Sequence, residues 1–363
     1  MQDFCPIKRV DHLELYVGNA KQAATYYARS FGFSAAAYRG LETGNREAAS
    51  YVLEQGHIRL VVTAALTPDH PISQFVFEHG DGVAVIALEV ADAAQAFEAT
   101  TRRGAGAAID PTEERDDHGV LRYAAIHGYG DTILKFVERA GYRGAFAPGF
   151  GPSPPIPSAP SGLAAIDHIV GNVELGGMDR WVKFFAETMG FTQLVHFDDK
   201  KITTEYSALM SKVMQDGSGR IKFPINEPAT GRRKSQIQEY LDYNHGPGVQ
   251  HIAFATKDIV ATVSELRSRG LEFLRVPDTY YEDLERRVGK IDEPIDDLAR
   301  LGILADRDEE GYLLQIFTQP VEDRPTLFFE VIERHGSRGF GEGNFKSLFE
   351  AIEREQARRG NLV

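Results

Sequence analysis

The sequence predicts an α+β protein of two domains, each assembled from two copies of a strand–helix–strands unit. Three observations predict it. The chain has 363 residues, too long for one typical core and suited to two domains of similar size. Residues 145–162, AFAPGFGPSPPIPSAPSG, hold six of the chain's 17 prolines and divide it near the middle. The halves on either side of that stretch repeat each other. Proline fixes φ and donates no backbone hydrogen bond, so the stretch reads as a semi-rigid extended connector. The expected division is an N-terminal domain over 1–145, a linker over 146–162 and a C-terminal domain over 163–363.

The elements follow in order. Val10-Asp11-His12-Leu13 and Ile166-Asp167-His168-Ile169 open the two halves, each as a short strand. An amphipathic helix follows each. The first carries Ala24, Tyr27 and Phe31 before Gly32-Phe33, and the second carries Trp181, Phe184 and Phe185 before Gly190-Phe191. Gly82-Val83-Ala84-Val85-Ile86-Ala87 then matches Gly248-Val249-Gln250-His251-Ile252-Ala253, with helices expected over about 92–103 and 258–269. TILKFVERAG from Thr132 matches TLFFEVIERHG from Thr326, allowing one residue of slack. A repeat on this scale means duplicated modules, each needing its neighbour to bury a sheet. Aligned in this way, matched positions lie 156, then 166, then 194 residues apart, so the second half carries insertions of 10 and 28 residues. The larger insertion falls between Gly270 and Gly311, with Tyr280, Tyr281 and the charged run 282–297, and is expected outside the site as helix and loop. Residues 344–359 read as an amphipathic helix with Phe345, Leu348, Phe349 and Ile352 on one side and Asn344 as its N-cap.

Composition excludes several classes. A net charge of −13 argues against nucleic acid or an anionic membrane as the main partner. No apolar run long enough to span a bilayer occurs, and the opening MQDFCPIKRV lacks an apolar signal core. The single cysteine, Cys5, excludes an intramolecular disulfide and a cysteine-rich zinc site. The expectation is a cytoplasmic protein. No GxGxxG or GxxxxGK[ST] fingerprint is present.

The chemistry concentrates at RPTLFFEVIERHG, residues 324–336. Aromatic and branched residues between a proline and a glycine read as a strand, with Glu330 on the face of Phe328 and Ile332. A carboxylate on an apolar face is costly unless it reaches water at an edge, pairs with an arginine or binds a metal. The repeat alignment weighs toward metal. His168 matches His12, whereas His251 matches Val85 and Glu330 matches Phe136. Two histidines and one glutamate at equivalent points of paired modules form the donor set of non-haem Fe(II) oxygenases. His12 reads as a structural remnant of the duplication.

Several longer motifs carry a family resemblance. They are DHIVGNV from Asp167, FPINEP from Phe223, KSQIQ from Lys234, GVQHIA from Gly248, LLQIFT from Leu313, the Glu330 strand, and GFGEGNF from Gly339. In these the chain resembles the 4-hydroxyphenylpyruvate dioxygenase family of the vicinal oxygen chelate superfamily. The resemblance implies paired βαβββ modules in open, barrel-like sheets, with the C-terminal helix as a lid. It implies one Fe(II) per chain on His168, His251 and Glu330, and O₂ as co-substrate. It implies an aromatic α-keto acid substrate that supplies all the electrons, so that no nicotinamide, flavin or 2-oxoglutarate is needed. Ser207, Asn226 and Gln236 are implied as catalytic polar groups near the substrate. Pro224, Gln250, Gln315, Phe317 and Phe345 are implied to complete the pocket, the amides orienting a phenol or carboxylate without titrating. Pro224 is expected to fix a loop carrying Asn226. A homo-oligomer, dimer or tetramer, is expected. Rival readings are a 4-hydroxymandelate synthase on the same substrate and metal, an extradiol catechol dioxygenase, and a non-catalytic ligand-binding protein.

Overall fold

The structure is a computed structural model, and it describes residues 4–197, 208–229 and 233–361. Two open, curled sheets form the two domains, each built from two βαβββ modules; Gly151–Pro152, within the stretch expected as linker, adds a ninth strand to the N-terminal sheet by pairing with Ala37 and Tyr38. In every module the first strand pairs in parallel with the last: Ile7–Tyr16 with Ile58–Ala65, Gly82–Val90 with Ile133–Glu138, Leu163–Asn172 with Lys222–Ala229, and Gly248–Thr256 with Phe328–His335. The first strands of paired modules run antiparallel, Ile7–Tyr16 against Gly82–Val90 and Leu163–Asn172 against Gly248–Thr256. A parallel pair needs a long crossover, and the module helices Ala93–Thr101 and Ile259–Ser268 supply it in two modules, N-capped by Asp92 and Asp258.

The backs of the two sheets share one core. Phe329 stacks on Phe254 at 5.3 Å and meets Phe31 of the N-terminal half at 4.9 Å. Strand alternation then turns Phe328 and Glu330 to the opposite face of the C-terminal sheet. In the N-terminal half that opposite face is filled by an apolar cluster including Val85, Leu121, Tyr142 and Phe146. In the C-terminal half it is only partly filled, and a cleft remains.

Several expectations need correcting. The repeat places Glu330 opposite Lys135 and not Phe136. His168 pairs with Ala253 and Ala253 with Glu330, while His12 pairs with Ala87 and Ala87 with Lys135. Counting from the threonines of two runs that differ by one residue misplaced the match. Pro224 and Asn226 lie in strand Lys222–Ala229 and not in a loop. The parallel ladder beside them is confined to Ile225 and Asn226, so a proline lacking N–H is tolerated at 224. Asn344 sits at the N-cap of helix Phe345–Arg358 without a capping bond, because its Oδ1 accepts from the Tyr280 hydroxyl at 2.6 Å. The insertion agrees with its expectation: it forms three short helices, Thr279–Glu282, Leu284–Val288 and Ile295–Leu301, which bury Tyr280 and Tyr281 and line no part of the cleft.

The halves are keyed together by Tyr129, which is 1% exposed and meets Trp181 at 5.5 Å. A Cβ at Gly171 would stand 2.5 Å from the Tyr129 ring. Gly171→Ala should therefore destabilise the chain by about 1–3 kcal/mol through overpacking, measured by denaturant unfolding, with the secondary structure unchanged.

Candidate metal centre

The site is built from three strands that the fold makes neighbours. His168 comes from the first strand of the C-terminal domain, His251 from its antiparallel partner, and Glu330 from the strand parallel to that. His168 Nε2 lies 3.1 Å and His251 Nε2 lies 3.5 Å from the same Glu330 oxygen, Oε2. One donor atom from each residue falls within 4.8 Å of the others, as needed to hold one metal ion. Glu330 is 2% exposed and flanked by paired strands on both sides, so neither an edge position nor an arginine pair accounts for it. Its second oxygen, Oε1, is buried without a hydrogen-bond partner among the described residues. A buried carboxylate with an orphaned oxygen, facing two imidazole nitrogens, fits a divalent cation.

Two β-bulges aim these groups. In the antiparallel pairing, the register skips Asp167 between Ile166 and His168, and skips Gln250 between Val249 and His251. A bulge inserts one unpaired residue and re-aims its side chain. Asp167 and His168 can thus cooperate although adjacent in sequence, with Asp167 Oδ1 2.7 Å from His168 Nδ1. Gln250 Oε1 likewise lies 3.1 Å from His251 Nδ1. Each ring has its Nδ1 held from behind, leaving Nε2 toward Glu330. Arg334 grips both Asp167 oxygens, at 2.7 and 2.8 Å. Burial opposes the Asp167 charge, but Arg334 and His168 outweigh it and hold the carboxyl well below its usual range.

The electrostatics of the three donors are coupled. Burial pushes His168 down, but Glu330 and Asp167 outweigh it and the net shift is upward. Burial dominates at His251 and lowers it. At Glu330 burial favours the neutral acid, yet the two histidines prevail and the carboxyl stays lowered.

The donors open into a cleft on the face of the C-terminal sheet. Of the residues expected from sequence, Pro224, Asn226, Gln236, Gln250, Phe317 and Phe345 line it with the three donors. Gln236 is the first residue of helix Gln236–Asn244, behind the Ser235 N-cap. Asn226 Nδ2 lies 3.4 Å from Asn172 Oδ1. Gln315 does not line the cleft; it lies on strand Tyr312–Phe317, next to the edge of the sheet, against Gly341, with both amide atoms unpartnered among the described residues. Ser207 lies outside the described residues. Leu348, Phe349 and Ile352 bring one side of helix Phe345–Arg358 over the cleft.

The comparisons with known proteins agree with this geometry. The Glyoxalase/Bleomycin resistance protein/Dioxygenase superfamily matches residues 9–143 and 165–316. Curated 4-hydroxyphenylpyruvate dioxygenases align along nearly the whole chain. The protein from Yarrowia lipolytica is 48% identical over 97% of this chain and 93% of its own length. That from Danio rerio is 49% identical over 97% and 91%. The chain belongs to the 4-hydroxyphenylpyruvate dioxygenase family. A solved mutant of 4-hydroxymandelate synthase from Streptomyces coelicolor superposes with a TM-score of 0.86 at 34% identity, covering 97% of this chain and 99% of that one.

Sequence reading of this family member missed Phe340, Phe328 and Ser211 in the cleft wall. Phe340 meets His168 edge-on at 5.2 Å, and Phe328 stacks on His251 at 4.7 Å. It also missed Asp167 and Arg334. The signal was present, since the pairs Asp-His and Glu-Arg occur in both halves at 11–12, 138–139, 167–168 and 333–334.

His168→Ala, His251→Ala and Glu330→Ala should each abolish stoichiometric metal binding, whereas His12→Ala retains it; metal analysis of the purified variants checks this. Only an unprotonated Nε2 can ligate, and the metal-free His168 holds its proton more tightly than a free histidine. Metal affinity should accordingly weaken as pH falls through and below neutrality, and binding should release protons. Calorimetry in buffers of different ionisation heat reads that release.

Proposed function

We propose that the chain is an Fe(II)-dependent dioxygenase that converts 4-hydroxyphenylpyruvate and O₂ to homogentisate and CO₂. The observation that carries this reading is the meeting of two imidazole Nε2 atoms and one buried carboxylate inside an aromatic- and amide-lined cleft. The full-length identity to dioxygenases of that name supports the substrate. In the proposed division, residues 1–145 are scaffold, 146–162 connect, and 163–363 are the catalytic domain.

His168, His251 and Glu330 would hold one Fe(II), and three protein donors leave about three positions on a six-coordinate ion. Fe(II) bound there supplies the redox chemistry that couples loss of the keto acid's carboxylate to reduction of O₂. Both oxygen atoms of O₂ enter the product, one in the carboxylate newly formed at the keto carbon and one on the ring, while the original carboxylate leaves as CO₂ and the acetate side chain migrates. The substrate provides all the electrons, so no second reductant enters.

The chain's own groups bind, orient and dry the site. Phe317, Phe328, Phe340 and Phe345 offer flat apolar walls to an aromatic ring. Asn226, Gln236 and Gln250 offer amides that hydrogen-bond a phenol or carboxylate and neither ionise nor oxidise readily. Gln315, with an unsatisfied buried amide, is proposed as a further partner that a bound substrate or water satisfies. Ser207 is proposed beside them from its sequence motif alone. Helix Phe345–Arg358 excludes water as the lid. Cytoplasmic location and assembly into dimers or tetramers belong to the same proposal, and light scattering tests the assembly.

One observation favours a second reading. The 4-hydroxymandelate synthase fold superposes closely, so the same substrate could be hydroxylated on its benzylic carbon instead. The higher identity, 48% against 34%, favours homogentisate. Chromatography of one aerobic reaction of 4-hydroxyphenylpyruvate with Fe(II), without 2-oxoglutarate, should give homogentisate as the main product. Mostly 4-hydroxymandelate would transfer the assignment to the second reading. Cleavage of a catechol without oxidation of the keto acid would remove both. Gln236→Ala should lower kcat/KM about ten-fold or more while metal content stays at the parent level, because it misorients the substrate and leaves the ligands intact.

A further inference from the structure

The N-terminal half contains a copy of the frame around His168 without the rest of the ligand set. There, Asp11 lies 2.6 Å from His12 Nδ1. Arg139 donates to both Asp11 oxygens, at 2.9 and 2.6 Å, and to the carbonyl of Phe146. The Phe146 ring meets His12 edge-on at 5.0 Å. In the C-terminal half Asp167 holds His168 Nδ1, Arg334 grips Asp167 twice and donates to the carbonyl of Gly339 at 2.6 Å, and Phe340 meets His168 edge-on. Both aspartates occupy the bulge of their strand.

The two frames part beyond the imidazole. Register puts Val85 where the other half has His251, and Lys135 where it has Glu330. Burial pushes the Lys135 ammonium down, while Glu14 and Glu114 favour its charge. The N-terminal half therefore has a lysine at the place of the metal-facing carboxylate.

A frame that persists without a ligand set has a structural duty. It ties the first strand of the domain to the last strand and to the loop beyond it. In the C-terminal half the same tie ends on a ligand. The two-point grip of a guanidinium on a carboxylate fixes the plane of Asp167. Asp167 then keeps the His168 proton on Nδ1 and leaves the Nε2 lone pair toward Glu330. Arg334 itself does not line the cleft.

We propose that Arg334 is a positioning residue for the metal centre, acting through Asp167 to set the orientation and tautomer of the His168 ring. The inference rests on the reading of His168, His251 and Glu330 as ligands. The sister frame supplies the control, because a merely structural role makes Arg334 and Arg139 equivalent.

The experiment uses full-length Arg334→Met, Arg139→Met, Asp167→Asn, Asp11→Asn and His168→Ala. Two quantities are read, Tm and anaerobic Fe(II) affinity by competition with a chromophoric chelator. Both arginine variants should lose Tm to a similar extent. Fe(II) binding should weaken by about 10- to 100-fold in Arg334→Met and Asp167→Asn, and stay within about two-fold of the parent in the two sister variants. Parental affinity in Arg334→Met and Asp167→Asn, or equal weakening in the sister variants, overturns the proposal. If Arg334→Met does not fold, Arg334→Lys and Asp167→Asn decide in the same way, since lysine keeps the charge and loses the two-point grip. His168→Ala separates the two readings. Parental affinity there means that the ligand assignment is wrong, whereas its loss alongside intact Arg334→Met affinity means that only the positioning role is.

Discussion

The buried Glu330 carboxylate constrains the rest of the C-terminal half. An ionised carboxylate at 2% exposure is costly unless cations or strong donors meet it. The groups nearest it are two imidazole Nε2 atoms, at 3.1 and 3.5 Å, delivered by two different strands. Neither imidazole is free to turn away, since Asp167 and Gln250 hold the opposite nitrogens. Removing one donor would strand the others in an apolar face. The arrangement therefore requires the two paired modules to close on each other correctly, so that the metal centre depends on the assembly of the whole sheet.

The duplicated architecture shows how little separates a ligand-holding half from a filled one. Both halves keep the antiparallel joint between first strands, the bulged aspartate, the histidine beside it and the arginine behind it. In the N-terminal half the corresponding face closes over Phe146 and its apolar neighbours. In the C-terminal half helices Gln236–Asn244 and Phe345–Arg358 cover the face at a distance and leave a cleft. The difference lies in what is laid over the sheet and in two positions beneath it.

The repeat and the meeting of His168, His251 and Glu330 were legible because they rest on strings of residues that recur or alternate. Helix ends at Asp92 and Asp258 were legible for the same reason, each being a side chain that caps its own helix. Register was less so. The Glu330 match slipped by one residue because Thr132 and Thr326 look equivalent but are not, since Ile133 and Phe328 hold the matching places beside Val85 and His251, and only the pairing between strands reveals it. Pro224 read as a loop residue because proline usually punctuates, whereas it pairs with Val213 on one side and stands just outside the short parallel ladder of Ile225 and Asn226 on the other. Asn344 read as a cap because its residue type favours one, whereas tertiary contact with Tyr280 claims the side chain. Phe340 and Arg334 could not be separated from ordinary core and ion-pair residues until their partners, distant in sequence, were beside them.

The N-terminal half also bears directly on the cleft. Helix Gln236–Asn244 begins with Gln236 in the cleft wall and ends against the N-terminal half. There the buried His79 holds the Asn244 carbonyl through Nδ1 at 2.5 Å and Asp131 through Nε2 at 2.8 Å. Arg324, on the chain entering the Glu330 strand, bridges the same junction by donating to the carbonyls of Phe77, Glu78 and Tyr243. One short helix and one strand entry are thus fixed at their far ends by groups that contribute nothing to the metal site. A helix of nine residues is stiff, so a shift at Asn244 is transmitted to Gln236. Misplacement by about 1 Å is enough to cripple a reaction that depends on orientation. The N-terminal half therefore does physical work for the cleft by holding in place the elements that carry its polar groups.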